Sequence, residues 1–469
     1  MAYGSRLNEI IYWLNPMKIQ RLHLKNFRCF EDFTIEFNTG DENHGGLTVL
    51  VAKNGEGKTA ILDAVNIALG MFFRKMPNSK GNVFLKRDLR YIDDPNTMHE
   101  KGYTSLEANF FDTASLLDDK TSLIVRRESF FDKNEKLTTT LKDGKDLENF
   151  AQFCLSLRFE NHTTLPLFAY YGDSRLWRDN EKDDKTFEKK TQDRAMGYTG
   201  ANNSKGGFGL FFDWYVDLSR SLNDQHIKKM KNLPSFNKEA FEKYEMFNQI
   251  ISNALADALE MTGWYQLDCD FSEKTIWVIN SQTKEKVDIL SLSAGNRIIL
   301  GVIGDIVHRC CVLNPHLGLD VLKKTPGIVM IDEIELHLYP SWQQQILPTL
   351  QRIFPRIQFI VTTHSPQVVS SIPQECLRII INKEVQYLST QTQGVESQNI
   401  LAEIFGTDPA PQDDEFVKKL NEYARMEANG DADTPEGKHL YEELAEHYGK
   451  DYPPLMRIEI HRKFKSQKH

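Results

Sequence analysis

Apolar side chains along this chain fall into three patterns, and each pattern predicts a different kind of element. Residues 17–30 place Ile19, Leu22, Leu24, Phe27 and Phe30 in near-alternation, and residues 33–37 (FTIEF) alternate cleanly, so both predict strands with one buried face. Residues 47–51 (LTVLV), 165–171 (LPLFAYY), 327–333 (GIVMIDE) and 358–364 (QFIVTTH) are almost continuously apolar, which predicts strands buried on both faces. Residues 377–381 (LRIII) predict an edge strand, and 106–110, 122–126, 136–141 and 264–281 predict further strands.

Helical spacing covers the rest. Residues 60–69 predict an amphipathic helix, followed by helices over 147–158, 211–222, 238–260 and 340–354 and a loop leading into a helix over 290–311. No heptad pattern is sustained, so a long coiled coil is excluded. Beyond Thr392 the chain is mainly helical and acidic, with a turn at 429–435, a second turn at Glu436 and Gly437, and a basic end carrying Arg457, Arg462, Lys463, Lys465 and Lys468. Residues 181–194 are a dense mixed-charge run, read as a solvated face. These patterns divide the chain into an appendage (1–16), an N-terminal lobe (17–175), a mostly helical insertion (176–285), a C-terminal lobe (286–390) and a helical extension (391–469). An appended helix and an upstream alternative start both account for residues 1–16.

Composition narrows the class. With 469 residues the chain is long enough for two to four lobes. Its 40% hydrophobic content and mean hydropathy of −0.47 predict a soluble globular protein. No apolar run approaches the ~18 residues of a membrane helix, and the N-terminus lacks a secretory leader pattern, which predicts a cytoplasmic protein with no membrane partner. The six cysteines are scattered without a C-x-x-C pair, so they predict reduced thiols, not a disulfide or zinc framework. His439 and His447 share a helical face without a third ligand, which argues against a metal site. A net charge of −9 argues against a general nucleic-acid coat while leaving room for a local basic groove.

Residues 52–59 (AKNGEGKT) stand between a buried strand and a helix. A glycine loop there lets backbone N–H groups and the helix N-terminus close on a phosphate chain, with Lys58 reaching the β/γ-phosphates and Thr59 ligating Mg²⁺. Ala52 stands where the P-loop pattern has glycine; it adds only a methyl, so the loop survives at negative φ. In 328–333 (IVMIDE), Asp332 and Glu333 end a central strand, where open α/β sheets bind ligands. Asp332 is placed to hold Mg²⁺ with Thr59, and Glu333 to polarise water. Ser293 and Gly295, in 292–297 (LSAGNR), open a helix and form either a second anion site or an ordinary cap. His364 ends the strand after the acidic one, where an imidazole can contact a γ-phosphate.

These four parts, in this order, resemble an ABC-type ATPase head of the SMC-like and RecF-like branch. The resemblance implies an α/β fold: a P-loop head with a mixed sheet flanked by helices, a helical insertion and a C-terminal helical extension. It makes residues 52–59 Walker A, 328–333 Walker B, 292–296 the signature, and His364 the switch histidine. It implies an ATP-binding set of Lys53, Asn54, Gly55, Glu56, Gly57, Lys58, Thr59 and Ala60, with Arg28 from the first strand, and a D-loop containing Glu335 and His337. Mg²⁺ would be held by Thr59 and Asp332, and catalysis carried by Glu333 and His364. It further implies a head-to-tail dimer in which Ser293, Ala294, Gly295 and Asn296 act in trans. Ala294 and Asn296 depart from the common Gly and Gln, and no Q-loop glutamine is evident beyond Gln152.

Residues 170–175 (YYGDSR), the short insertion and the helical extension resemble the ATPases of bacterial antiphage systems, of the PtuA type found in Septu and related retron operons. That implies a separately encoded HNH nuclease partner and, in retron systems, a reverse transcriptase with its RNA–DNA product; DNA is a further candidate ligand. The expected function is an ATP-hydrolysing regulator of the nuclease. Three alternatives stay open: an ATP-bound assembly scaffold with little turnover, a RecF-like DNA-repair ATPase, and an OLD-like nuclease. Against the last, about 105 residues follow His364 and carry no strand-borne Glu with an Asp-x-Asp set.

Overall fold

The computed structural model describes residues 17–41, 43–77, 79–90, 103–111, 122–131, 136–160, 162–173, 193–204, 208–259, 263–270, 273–280, 282–406 and 411–466. The expected appendage and most of the 181–194 charge run lie outside the described residues. In chain order the elements are β1 (Lys18–Phe27), β2 (Phe30–Glu36), β3 (Leu47–Ala52), α1 (Lys58–Phe73), β4 (Tyr103–Phe111), β5 (Ser122–Phe131), β6 (Leu137–Asp143), α2 (Lys145–Ser156) and β7 (Leu167–Tyr171). There follow α3 (Phe208–Met230), α4 (Lys238–Leu259), β8 (Trp264–Asp270), β9 (Thr275–Asn280), β10 (Lys286–Asp288), α5 (Ala294–Leu313), β11 (Gly327–Ile331), α6 (Pro340–Ile353), β12 (Ile357–Thr363), β13 (Leu377–Ile381) and β14 (Glu384–Gln386).

The continuously apolar strands form one mixed sheet in the order β14-β13-β3-β12-β11-β7. All neighbours are parallel except the β13–β14 hairpin. The register sets Val51 beside Thr363 and Ile331 beside both Val361 and Tyr171. The C-terminal ends of β3, β12, β11 and β7 therefore share one edge, so residues 53–59, 364, 332–333 and 172–173 emerge together. The alternating strands form an antiparallel sheet, β2-β1-β4-β5-β6.

Helix α1 packs on β3 and β12 on one side and on β4 and β5 on the other. This corrects the expected amphipathic helix: 14 of its 16 residues are buried, because two sheets enclose it. The two that are not, Thr59 and Asp63, both face one cleft. At its far end Phe72 meets Phe168 of β7 edge-on at 4.8 Å and Tyr198 at 5.1 Å. Each fully buried ring contributes roughly 2 kcal/mol, so apolar packing seats the P-loop helix.

The expected insertion contains α3 and α4, which pack against α5, and then β8 and β9, which pair with β10 just beyond its expected end in an antiparallel β10-β9-β8 sheet. Helix α3 runs eight residues past the apolar pattern, where Lys228 pairs with Asp224 at 2.5 Å one turn away. Two further expectations are corrected. Residues 377–381 are not the sheet edge: a two-residue turn at Asn382 (φ 52°) and Lys383 (φ 66°) sends β14 back along β13, and β14 takes the edge. Arg194 does not lie on a solvated face: it is 2% exposed and donates to the carbonyls of Leu313, Leu157, Glu160 and Thr163.

The chain divides between Val395 and Glu396 into two compact units. The second holds α7 (Glu415–Asn429), α8 (Pro435–Tyr448) and α9 (Pro453–Ser466) around Tyr423, Leu440, Leu444 and Leu455. Asp414 caps α7 through the amides of Phe416 and Val417, and Gly430 ends it at φ 89°. Glu436 and Gly437 form the first turn of α8, not the separate turn expected, because Thr434 caps that helix through the Gly437 amide. His447 stacks on Phe416 at 3.5 Å, while His439 is exposed beside Glu443. Among the described residues no cluster of three or more His, Cys, Asp or Glu side chains could hold a metal, and no helix is long and apolar enough to cross a membrane.

Candidate functional site

Strand β3 delivers Ala52, buried, to the start of the glycine loop. Gly55 (φ 82°) and Gly57 (φ 98°) take the left-handed backbone that glycine alone adopts freely. Gly57 is also fixed by proximity: a Cβ there would stand 2.5 Å from the Phe30 ring and 2.6 Å from Cys29 Sγ. The loop is thus pressed against the β1–β2 turn before it enters α1.

Lys58 Nζ donates to the Ala52 carbonyl at 2.9 Å and lies 2.7 Å from His364 Nε2 at the end of β12. Burial lowers the Lys58 pKa against the charges of Asp332, Glu335, Glu333 and Glu56. The neighbouring Thr59 donates from Oγ1 to Asp332 Oδ2 at 2.8 Å. Thr362 Oγ1 donates to Asp332 Oδ1 at 2.5 Å and accepts from the Glu333 amide at 2.7 Å, so one β12 hydroxyl fixes both carboxylate residues.

Glu333 sits in the left-handed region at φ 47°, a strained position for a side-chain-bearing residue that turns the chain off β11. Burial raises its pKa, and the charges of Asp332, Glu335 and Asp173 raise it further, against Lys58. Glu335 turns back to accept the His364 amide through Oε1 at 2.5 Å.

Arg28, at the β1–β2 turn with φ 51°, donates to Asp88 at 2.8 Å and pairs with Asp63 at 2.7 Å. Tyr170 of β7 donates to the other side of Asp63 at 3.0 Å. Arg28, Asp63 and Tyr170 border a cleft of about 480 Å³ that also takes in Thr59, Asp332 and Asp173. Gln152 is exposed on α2 and does not line it; Gly172 and Asp173, at the end of β7, do.

Ser293 caps α5, accepting the Asn296 amide at 3.3 Å, and its own side chain is exposed. Gly295 is buried against the segment after β11: a Cβ there would meet the His337 carbonyl at 2.4 Å, and His337 itself has φ 62°. Residues 293–296 do not line the cleft. Ala294 lies half-buried and Asn296 buried in the first turn of α5, while Lys53, Asn54 and Thr59 are exposed and Ala60 is buried.

Four residues of this region carry no motif of their own. Thr362, Asp63 and Asp88 are set by tertiary packing, and their signal in the sequence is no more than a polar residue in or beside an apolar run. Lys383, at the β13–β14 turn, donates from Nζ to the Gly55 carbonyl at 2.5 Å and pairs with Glu56 at 3.1 Å. Its sequence signal is no more than the preceding Asn382, a residue type that tolerates the left-handed backbone of a turn.

A family model described as an AAA domain matches residues 21–287. The Retron Ec83 probable ATPase of Escherichia coli is 25% identical over 499 residues, covering 95% of this chain and 86% of the relative. The Septu protein PtuA of Bacillus thuringiensis is 22% identical over 420 residues, covering 87% of this chain and 88% of the relative. Among solved structures the chain is similar to the Smc head domain with an extended coiled coil bound to the C-terminal domain of ScpA, from Pyrococcus furiosus. That likeness has a TM-score of 0.47 and 15% identity over 80% of this chain and 96% of the other.

Proposed function

The chain belongs to the AAA-domain family, and from that membership we propose that it is an ATP-binding and ATP-hydrolysing subunit of a bacterial antiphage defence complex. One observation carries the reading: Lys58 meets His364 at 2.7 Å while Thr59, the next residue, meets Asp332 at 2.8 Å. Motif residues from three separate parallel strands thereby converge on the first turn of α1, where N–H groups and the helix dipole favour phosphate.

The donor set fits magnesium, because a threonine hydroxyl and a carboxylate are hard oxygen ligands. Bound there, Mg²⁺ would neutralise phosphate charge. Lys58 binds the phosphate chain, exchanging its imidazole neighbour for phosphate oxygens. Glu333, with its pKa raised by burial and by neighbouring carboxylates, accepts a proton from the attacking water. His364 binds beside Lys58 as a neutral imidazole. Arg28 reaches the nucleotide by leaving Asp63 or by working through it.

Ser293 and Gly295 act on a nucleotide held by a second copy, so turnover requires a head-to-tail dimer. The exposed Ser293 on a helix N-terminus, away from the cleft of its own chain, supports this. The names of the Septu and retron relatives support a defence role. The regulated effector is a separately encoded HNH-type nuclease, joined in a retron setting by a reverse transcriptase and its RNA–DNA product.

Phosphate release by the purified chain, with DNA and partner present, tests the reading. Glu333→Gln should lower turnover by ~10²–10⁴-fold while keeping ATP bound, and should accumulate dimers in mass photometry. Wild-type protein that binds ATP but releases no phosphate under those conditions would replace the ATPase with an assembly scaffold.

A further inference from the structure

We propose that Lys383, at the tip of the β13–β14 hairpin, is a positioning residue for the nucleotide, holding the loop of residues 53–57 in its phosphate-receiving shape. The inference rests on the ATP reading above and adds to it a residue far from every motif. β13 runs parallel to β3 with Ile380 beside Ala52, so the hairpin carries its tip past the end of β3 to the glycine loop. There Lys383 makes three contacts. Its amide donates to Glu56 Oε2 at 3.2 Å, its ammonium pairs with the same oxygen at 3.1 Å, and the ammonium donates to the Gly55 carbonyl at 2.5 Å.

The loop needs such a hold. A Cβ built on Gly55 would meet no atom within 4 Å, so nothing packs against that side of the turn. Gly55 is left-handed and, unlike Gly57, has the freedom to rotate away. In a trans peptide the carbonyl and the next N–H point in opposite directions. Fixing the Gly55 carbonyl on Lys383 therefore fixes the Gly55–Glu56 peptide, whose N–H closes the loop's own turn on the Lys53 carbonyl at 3.3 Å. Burial pushes the Glu56 carboxyl up, yet the hydrogen bonds and charge of Lys383, with a smaller share from Lys58, hold it below the usual glutamate range. The carboxylate that could repel phosphate is occupied by the hairpin lysine.

The experiment compares wild type, Lys383→Met, Lys383→Arg and Glu56→Gln by amide hydrogen exchange over residues 53–58 without nucleotide, and by the Kd for ATP. Lys383 is one-third exposed on a turn, and a thermal melt of each variant checks that the chain still folds. Lys383→Met should speed exchange in the nucleotide-free loop and raise Kd by ~10-fold, the equivalent of one hydrogen bond to a charged group. Lys383→Arg should restore most of both, and Glu56→Gln should reproduce part of the exchange effect. Faster exchange with unchanged Kd overturns the positioning role, leaving a clasp without consequence for nucleotide. A raised Kd with unchanged exchange overturns it too, because Lys383 would then act on the phosphates directly. Wild-type chain that binds no ATP removes the nucleotide reading itself, and the positioning role with it.

Discussion

The Lys58 ammonium lies 2.7 Å from Nε2 of His364, a residue 306 positions further along the chain. Two cations would not rest at that distance, so the contact is a hydrogen bond in which Lys58 donates and a neutral imidazole accepts. The surroundings agree: burial first, and then the charge of Lys58, pull the His364 pKa below its usual value, against Glu335 and Asp332. Lys58 and His364 hold each other in the nucleotide-free chain.

That relationship predicts a pH dependence. The unfolded chain takes a proton on His364 below its ordinary pKa of 6.5, while the folded site resists it. The stabilising contribution is therefore present above about 6.5 and is lost as pH falls through the lowered folded value. Nucleotide-free wild type should lose more Tm between about pH 7.5 and 5.5 than His364→Gln. His316, whose pKa burial lowers to about 4, titrates in both proteins and cancels. Parallel Tm curves for the two proteins would mean that His364 is not held neutral by this contact.

Asp332 gives a second test, because it accepts hydroxyls from two elements, Thr59 of α1 and Thr362 of β12. Asp332→Ala strips the acceptor from both. The exposed Thr59 finds water, but the fully buried Thr362 does not, so the nucleotide-free chain should lose about 1–3 kcal/mol in urea unfolding. The same variant should lose the extra Tm that Mg²⁺ with ATP gives wild type over ATP alone. A variant that keeps that magnesium-dependent gain would place the metal elsewhere.

The convergence of the candidate site was legible where chemistry and sequence are local. The loop over 52–59, Asp332 with Glu333, and His364 each end an apolar run, and parallel pairing brings such ends together. Lys383, Thr362 and Asp63 were not legible, because their roles depend on which strands are neighbours, and order within a sheet leaves no mark in a strand's own residues. The edge reading of 377–381 failed for the same reason: a three-residue strand, β14, is too short to show a period. Arg194 shows the converse limit. Charge density gave a solvated run, yet a single guanidinium at its end folds inward onto backbone carbonyls.

That inward arginine carries its own prediction. Arg194 joins the carbonyls of Leu157, Glu160, Thr163 and Leu313 with Asn314 Oδ1. Burial draws its pKa down to about 10. Arg194→Met removes the charge but orphans several buried acceptors at about 1–3 kcal/mol each, so the urea midpoint should fall by more than any single surface change produces. Arg194→Lys should recover little, since one ammonium cannot span the same fork. A midpoint within error of wild type for Arg194→Met would mean that solvent reaches these carbonyls.

Ser293 and Gly295 separate a role inside one chain from the role proposed toward a second copy. Gly295 is needed in cis, since an added methyl would press on the His337 carbonyl at 2.4 Å, so Gly295→Ala should destabilise the isolated chain by about 1–3 kcal/mol. Loss of activity in that variant says nothing about a dimer. Ser293 is different: it is exposed, and its bond within the chain is a cap to Asn296 at 3.3 Å. Ser293→Ala should cost only the ~0.5–2 kcal/mol of a lost cap, and the ATP affinity of one chain should be unchanged. If the exposed hydroxyl completes a neighbour's site, the same substitution should prevent ATP-dependent dimers in mass photometry and lower turnover by at least ~10-fold. Mixing then decides the direction. A Ser293→Ala chain with intact Lys58 and a Lys58→Ala chain with intact Ser293 should together rebuild one working site. Mixed protein no more active than either variant alone would confine the signature to its own chain, and the head-to-tail arrangement would fall.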